Sequence, residues 1–454
     1  MTSNPERVRC LFGTDGVRDV ANRGDMTPEM ALRLGRSYIL FLTERGVPRP
    51  RIAVGRDTRR SGQMLEAALA AGMTSAGAEV FMLGVIPTPG VSFAVKKTGM
   101  HGGAVISASH NPAEYNGIKF LDGEGYKLSD EMEASIEEYM GDNLTDDWRP
   151  TGASVGVLRQ TPELAVEYGD WLASLWGREL PFPAEGAVDC AHGAASFVAP
   201  SLFEKLGGRW TVVGNEPDGL NINEGVGVMK MSHICGLVKE KGLPVGIAYD
   251  GDADRVLLSD GRGRPLDGDI MLWILGRWLA SAGCLGSGVV ATVMSNMALE
   301  EHLGSEGLRV HRCQVGDRYV METLNATGSR LGGEQSGHVI ISSVVNTGDG
   351  ICTGLFFLKA CLSLGEDIDT LADRFSPYPQ ILRNVEISRE KQVNGDFIKE
   401  LSSDVEPILG GAGRILIRPS GTEPLMRVLV EARDRKLMEE VSDMLVNAIR
   451  EKCR

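Results

Sequence analysis

No stretch of this sequence stays apolar for long enough to span a bilayer, and its N-terminus lacks the basic-then-apolar segment that directs secretion. Both absences point to a cytoplasmic protein with no membrane partner. Paired cysteines are missing too: Cys10, Cys190, Cys235, Cys284, Cys313, Cys352, Cys361 and Cys453 include no CxxC and no zinc spacing. That argues against a zinc module or a disulfide framework and casts the thiols as small apolar residues in a reducing compartment. Positive charge is scarce, with 47 lysines and arginines against 61 aspartates and glutamates and a formal net charge of −14. Such a field repels polyanions, so nucleic acid is not the expected partner, and an anionic ligand must be held by a local cluster of cations.

What is present is the balance of a soluble globular protein, 43% hydrophobic and 24% charged, over 454 residues. That length implies about three or four domains. Three segments share one pattern: RIAVGRDTRRSGQMLEAALAAGMTSAGAEVFMLG from Arg51, GAVDCAHGAASFVAPSLFEKLGGRWTVVG from Gly186, and GVVATVMSNMALEEHLGSEGLRVHRC from Gly288. Each runs from an apolar strand through a small-residue loop to a helix-like stretch and a second strand, as a βαβ unit does. Near the C-terminus, GRILIRPSGTEPLMRVLVEARD reads as a hairpin followed by an amphipathic helix, a small α+β domain. With linkers at 146–156 and 376–380, the expected division is 1–155, 156–256 and 257–375 for three α/β domains and 376–454 for the last.

Chemistry is concentrated in a few stretches. In VISASHNPAEYNGIKF, residues 105–120, an apolar run ends in Ser107 and Ser109, and His110, Asn111 and Pro112 stop it. Pro112 biases Asn111 to extended backbone and Asn116-Gly117 favours a turn, so the segment after Ser109 projects from a strand end with an accessible hydroxyl. Such a hydroxyl can carry a covalent intermediate where cations offset charge and a neighbour moves its proton, roles open to His110 and Lys119. Ser107 and Ser109 lie on the same strand face, so alternation does not choose between them. In AYDGDADRVLL, Asp250, Asp252 and Asp254 alternate after an apolar run; crowded carboxylates repel one another unless they converge on a divalent cation. An EF-hand is excluded, because Arg255 stands where that loop needs glycine and Gly261 where it needs glutamate. Arg255 is placed to reach a phosphoryl oxygen.

Three further stretches add binding groups. IRPSGTEPLMR offers Arg418, Ser420, Gly421, Thr422 and Arg427, hydroxyls, amides and guanidinia suited to a phosphate. GGEQSGH offers Glu334, Ser336 and His338, an acceptor, a hydroxyl and an imidazole suited to sugar hydroxyls. LFGTDGVRD contributes Arg18 as an anion contact.

ISASHNPAEYNGIKF, DGDADR, GEQSGH and RPSGTEP, in that order, resemble the α-D-phosphohexomutase superfamily from Phe12 to the C-terminal domain. Within it FGTDGVR, TVMSNMALE, VGDRYV and GGEQSGH look like the bacterial phosphoglucosamine mutase branch. The resemblance implies three related α/β domains around a central cleft, plus a smaller C-terminal α+β domain similar to TATA-binding-protein folds. It implies a phosphosugar substrate, one Mg²⁺ per chain and a homodimer. The activity implied is interconversion of glucosamine 6-phosphate and glucosamine 1-phosphate through a 1,6-bisphosphate, feeding UDP-N-acetylglucosamine synthesis. By the same resemblance Ser109 carries the phosphoryl group, primed by a 1,6-bisphosphate or a kinase, and shares the metal with Asp250, Asp252 and Asp254. Arg255 touches the transferring group; Lys119 and His338 are acid and base, with Arg18 and His110 nearby. Glu334 and Ser336 bind the sugar, and Arg418, Ser420, Gly421, Thr422 and Arg427 the other phosphate. Asp19 and Ala253 stand where relatives usually have glycine. Alternatives are a phosphomannomutase or phosphoglucomutase, a metal-dependent sugar phosphatase with an aspartate nucleophile, or a non-catalytic sensor.

Overall fold

A computed structural model describes residues 11–13, 15–141, 148–387, 395–419 and 425–453. The chain forms two compact units, one of Met1–Met294 with Leu308–Asp373, the other of Ser295–Gly307 with Arg374–Arg454.

The first unit carries three sheets. In the first, the strand order is Val17–Val20, Tyr115–Leu121, Gly102–Ile106, Arg51–Arg56, Glu79–Val85, Val157–Gln160. The second runs Pro265–Leu266, Val256–Asp260, Val245–Tyr249, Glu185–Asp189, Arg209–Val213, and the third Val310–Cys313, Val289–Thr292, Leu331–Gly333, Val339–Ile341. The inner strands are nearly continuous apolar runs; Val245–Tyr249 is buried at every residue, as a strand covered on both faces must be. Helix Gly62–Ser75 supplies the first crossover and buries Leu65, Leu69, Ala70 and Met73 on one face. The expected changeover at 155/156 falls just ahead of Val157–Gln160, which pairs in parallel with Glu79–Val85. That at 256/257 falls at the head of Val256–Asp260, which pairs with Val245–Tyr249.

One design recurs in all three sheets: a strand that is parallel to one neighbour turns back into an antiparallel partner. It occurs from Gly102–Ile106 to Tyr115–Leu121, from Val245–Tyr249 to Val256–Asp260, and from Leu331–Gly333 to Val339–Ile341. The serine loop, the aspartate loop and the GGEQSGH loop are these three turns.

The second unit has an antiparallel sheet with Leu425–Ala432 between Gln380–Glu386 and Gly413–Pro419. Its core joins Met426, Val428 and Val430 to Val441, Leu445 and Ile449 of helix Arg435–Cys453. The predicted hairpin and helix are there; strand Gln380–Glu386 and helix Gly395–Leu409 are additional. Helix Met297–Ser305, read from sequence as the crossover of the third βαβ segment, belongs to this unit. The Met297 N–H donates to buried Glu431 at 2.5 Å, and the Asn296 amide exchanges hydrogen bonds with the Tyr378 backbone at 3.0 Å. Among the described residues no helix is long and apolar enough to cross a membrane.

Candidate active site

Ser109 follows the end of Gly102–Ile106 with φ = 51°, a left-handed backbone unusual for serine, and is 2% exposed. Its hydroxyl donates to Asp250 Oδ2 at 2.6 Å and lies 3.3 Å from His110 Nδ1. Ser107 is differently engaged: its Oγ donates to Asp57 Oδ2 at 2.7 Å and accepts from the Ser109 N–H at 2.9 Å.

Asp250, Asp252 and Asp254 are buried, and one oxygen from each lies within 4.8 Å of the others. Asp252 Oδ2 accepts from Thr88 Oγ1 at 2.6 Å and from Lys119 Nζ at 3.0 Å, while Asp254 Oδ2 is 3.5 Å from Lys119 and 3.8 Å from His338 Nδ1. Among the described residues, Asp252 Oδ1 and Asp254 Oδ1 are buried without a hydrogen-bond partner. Buried anionic oxygens left over in a three-carboxylate cluster are the donor set of a hard divalent cation, so the residues fit a metal. Burial, then Asp254 and Asp252, push the Asp250 carboxyl well above its ordinary range. Burial alone would raise Asp252 as well, but Lys119 and the Thr88 hydroxyl hold it at about 2. Ala253 adopts φ = 54°, a conformation natural to the glycine of relatives.

Cations surround this cluster. Lys119 also faces Asp15 at 3.9 Å, which bonds Arg18 at 2.5 Å and Lys127 at 3.3 Å. Despite burial, Lys119, Lys127 and Arg18 hold Asp15 well below the usual carboxylate range. Lys119, although buried, is pushed above its ordinary value by Asp15, Asp252 and Asp254. Arg255 donates its backbone N–H to Asp250 Oδ1 at 3.2 Å. Burial, then Arg255 and Arg18, lower His110 to about 4. Asp19 leaves Arg18 in strand, opposite Gly117, and accepts from the Val20 and Asp25 backbone at 2.6 and 3.0 Å.

The third loop brings Glu334, whose Oε1 accepts from Gly316 N at 3.1 Å and whose Oε2 accepts from Ser336 Oγ at 3.2 Å. His338 is buried, its Nε2 without a partner among the described residues. Gly348 packs against the imidazole so closely that a Cβ there would lie 2.4 Å from His338 Cε1.

In the second unit, Arg418 and Arg427 face each other across paired strands. Burial and the Arg427 charge lower Arg418 below its ordinary value, and opposed cations of this kind are relieved by an anion. Ser420, Gly421 and Thr422 lie outside the described residues.

Family models of the phosphoglucomutase/phosphomannomutase type match in series: α/β/α domain I over 9–146, domain II over 183–263, domain III over 267–378 and the C-terminal domain over 381–448. The phosphoglucosamine mutase of Carboxydothermus hydrogenoformans is 45% identical over 97% of this chain and 99% of its own, and that of Bacillus subtilis is 42% identical over 97% and 98%. The chain belongs to the phosphoglucomutase/phosphomannomutase family. The solved structures share the fold. A member of this family from Burkholderia thailandensis superposes with a TM-score of 0.81 at 23% identity, covering 98% of both chains. An Aspergillus fumigatus N-acetylphosphoglucosamine mutase, described in complex with GlcNAc-6P and magnesium, gives 0.64 at 19% identity, covering 85% of this chain and 94% of its own.

In this family member, domain I holds Arg18, Ser109, His110 and Lys119, domain II the aspartates and Arg255, domain III Glu334, Ser336 and His338, and the C-terminal domain Arg418 and Arg427. Sequence reasoning missed Asp15, Asp57, Arg59, Thr88, Lys127 and Asn223. Asp57 and Arg59 carried a usable signal, because they follow strand Arg51–Arg56 at its C-terminal end, where α/β sheets gather functional groups. Asn223, with no motif around it, gave none.

Proposed function

We propose that the protein interconverts glucosamine 6-phosphate and glucosamine 1-phosphate in the cytoplasm, as an isomerase that feeds UDP-N-acetylglucosamine synthesis. The observation that carries this reading is the Ser109 hydroxyl 2.6 Å from Asp250, within a buried carboxylate trio. The choice of amino sugar rests on full-length similarity to phosphoglucosamine mutases.

Asp250, Asp252 and Asp254, with an oxygen of phosphorylated Ser109, would hold one Mg²⁺, which when bound neutralises charge on phosphoryl oxygens. Ser109, primed by a 1,6-bisphosphate or a kinase, gives its phosphoryl group to the free hydroxyl of a monophosphosugar. The P–Oγ bond breaks, a bond from phosphorus to the sugar oxygen forms, and the hydroxyl proton passes to the unpartnered Nε2 of His338. Lys119, kept cationic by three carboxylates, supplies a proton to the departing Ser109 oxygen. Arg255, with Arg18 and His110 nearby, balances charge on the moving group. Glu334 and Ser336 orient the sugar, and Arg418, Ser420, Gly421, Thr422 and Arg427 bind the phosphate that is not being transferred. The bisphosphate then reverses end for end, so the same serine recovers the other phosphate.

A coupled assay on glucosamine, mannose and glucose phosphates tests the reading: the glucosamine pair should give the highest kcat/KM. Preference for mannose or glucose would assign the sister activity. Steady release of inorganic phosphate without isomerisation would assign a phosphatase. A homodimer is part of the proposal, and a monomer mass by light scattering would remove it.

A further inference from the structure

Arg59 has no role in the chemistry above, yet it is buried at 1% exposure. A guanidinium removed from water must satisfy five N–H groups and one charge or cost several kcal/mol. Arg59 does so on two targets, a carboxylate and the serine loop. Its Nε donates to Asp57 Oδ2 at 2.8 Å. Nη1 donates to the carbonyls of Pro112 and Tyr115, and Nη2 to those of Ser109 and Asn111 at 3.0 and 2.8 Å. All five donors are spent, four of them on main-chain oxygens of the serine loop.

The same ion pair reaches Ser109 from its other side. Asp57 Oδ2 accepts from Ser107 Oγ, which in turn accepts from the Ser109 N–H. Both backbone polar atoms of Ser109 are therefore tied to one Asp–Arg pair, its oxygen directly and its nitrogen through Ser107. Asn223 adds a hold from the second sheet's side, donating Nδ2 to the carbonyls of Ser109 at 2.9 Å and Asn111 at 3.1 Å. Behind the loop, Gly251 leaves no room for a side chain: a Cβ there would lie 2.5 Å from the Ser109 carbonyl oxygen.

A left-handed serine is strained and persists only where its surroundings over-determine it. With the backbone fixed at φ = 51°, the hydroxyl points at Asp250.

We propose that Arg59 is a positioning residue of the phosphoryl transfer, which with Asp57, Ser107 and Asn223 holds Ser109 in its left-handed conformation. The proposal rests on Ser109 being the phosphoryl carrier. Arg59 touches no reacting atom; it sets the line of approach, and misplacement of a reacting group by about 1 Å can cost about 10²-fold in rate. Ser107 is a structural hydroxyl in this arrangement, since phosphorylating it would remove the proton it gives to Asp57.

Arg59→Lys tests this, because lysine keeps the charge beside Asp57 but has three donors in place of five. Expected are a kcat about 10²-fold lower, a KM within about threefold of wild type, and slower labelling of Ser109 by glucose 1,6-bisphosphate, read by intact mass. A kcat within about threefold of wild type in folded Arg59→Lys, or a KM rising in step with the loss of kcat, would overturn it. Should Arg59→Lys fail to fold, Asn223→Ala decides: unchanged circular dichroism with kcat at least about tenfold lower supports the cradle, and unchanged kcat overturns it. A wild-type protein that isomerises no sugar phosphate and takes no label on Ser109 would instead defeat the parent reading.

Discussion

Ser109 should be indispensable and Ser107 not phosphorylated. Ser109→Ala is expected to abolish isomerisation with unchanged circular dichroism, and mass spectrometry of the wild-type protein should find the phosphate on Ser109; phosphate on Ser107 would refute the assignment. The aspartates and the serine loop were legible as candidates because such side chains have few structural reasons to crowd a strand end. The choice between two serines on one face was not, because it depends on which of them Asp57 engages. Asp349, buried behind the site, makes a prediction about stability. It caps helix Gly350–Leu364 through the Cys352 N–H and accepts from the Tyr168 hydroxyl at 2.8 Å, yet burial raises its carboxyl to about 6. Between its ordinary value and about 6 the folded chain holds a proton that the unfolded chain has lost, so its contribution to stability falls as pH rises through that window. Asp349→Asn keeps the cap and carries no charge. Its gain in stability over wild type should be larger at pH 7.5, on the order of 2–3 kcal/mol, and much smaller at pH 4.5, as read by thermal melts.

The three turns of the candidate site share one topology, and their tolerance to change should be correspondingly low. Gly348→Ala drives a methyl group into the His338 ring. It is expected to lower kcat by about 10²-fold with circular dichroism retained, and an unchanged kcat would remove His338 from the chemistry. The apolar strands and crossover helices were readable from periodicity, since burial on both faces leaves a continuous apolar run. Helix Met297–Ser305 was only half legible. Its position between parallel strands Val289–Thr292 and Val310–Cys313 makes it the expected crossover, while the contacts of its N-terminus with Glu431 and Tyr378, 134 and 82 residues away, are invisible to local pattern. The weakly patterned strand Gln380–Glu386, buried only at Val385, escaped notice for the complementary reason.

Across the molecule, charge is what the fold must manage. A chain of net charge −14 concentrates three of its carboxylates in a buried loop and offsets them with Lys119 and Arg255. Activity should therefore vanish in excess EDTA and return with Mg²⁺. Mg²⁺ should also raise the melting temperature of wild type, and not of Asp252→Asn, by the linkage of binding to folding. Arg418→Ala should raise KM at least about tenfold, the loss of roughly 1.4 kcal/mol from a charged hydrogen bond. An unchanged KM would take that arginine out of substrate binding. On the proposed reading, esterification of Ser109 removes its hydrogen bond to Asp250. Esterified, that oxygen has no hydrogen to give, and a neutral neighbour of Asp250 becomes a dianion. The charged form of the enzyme then needs its cation more than the spent form does, and by reciprocity a cation favours retention of the ester. Depletion of the ion would thus drain the resting pool of competent molecules as well as slow each cycle.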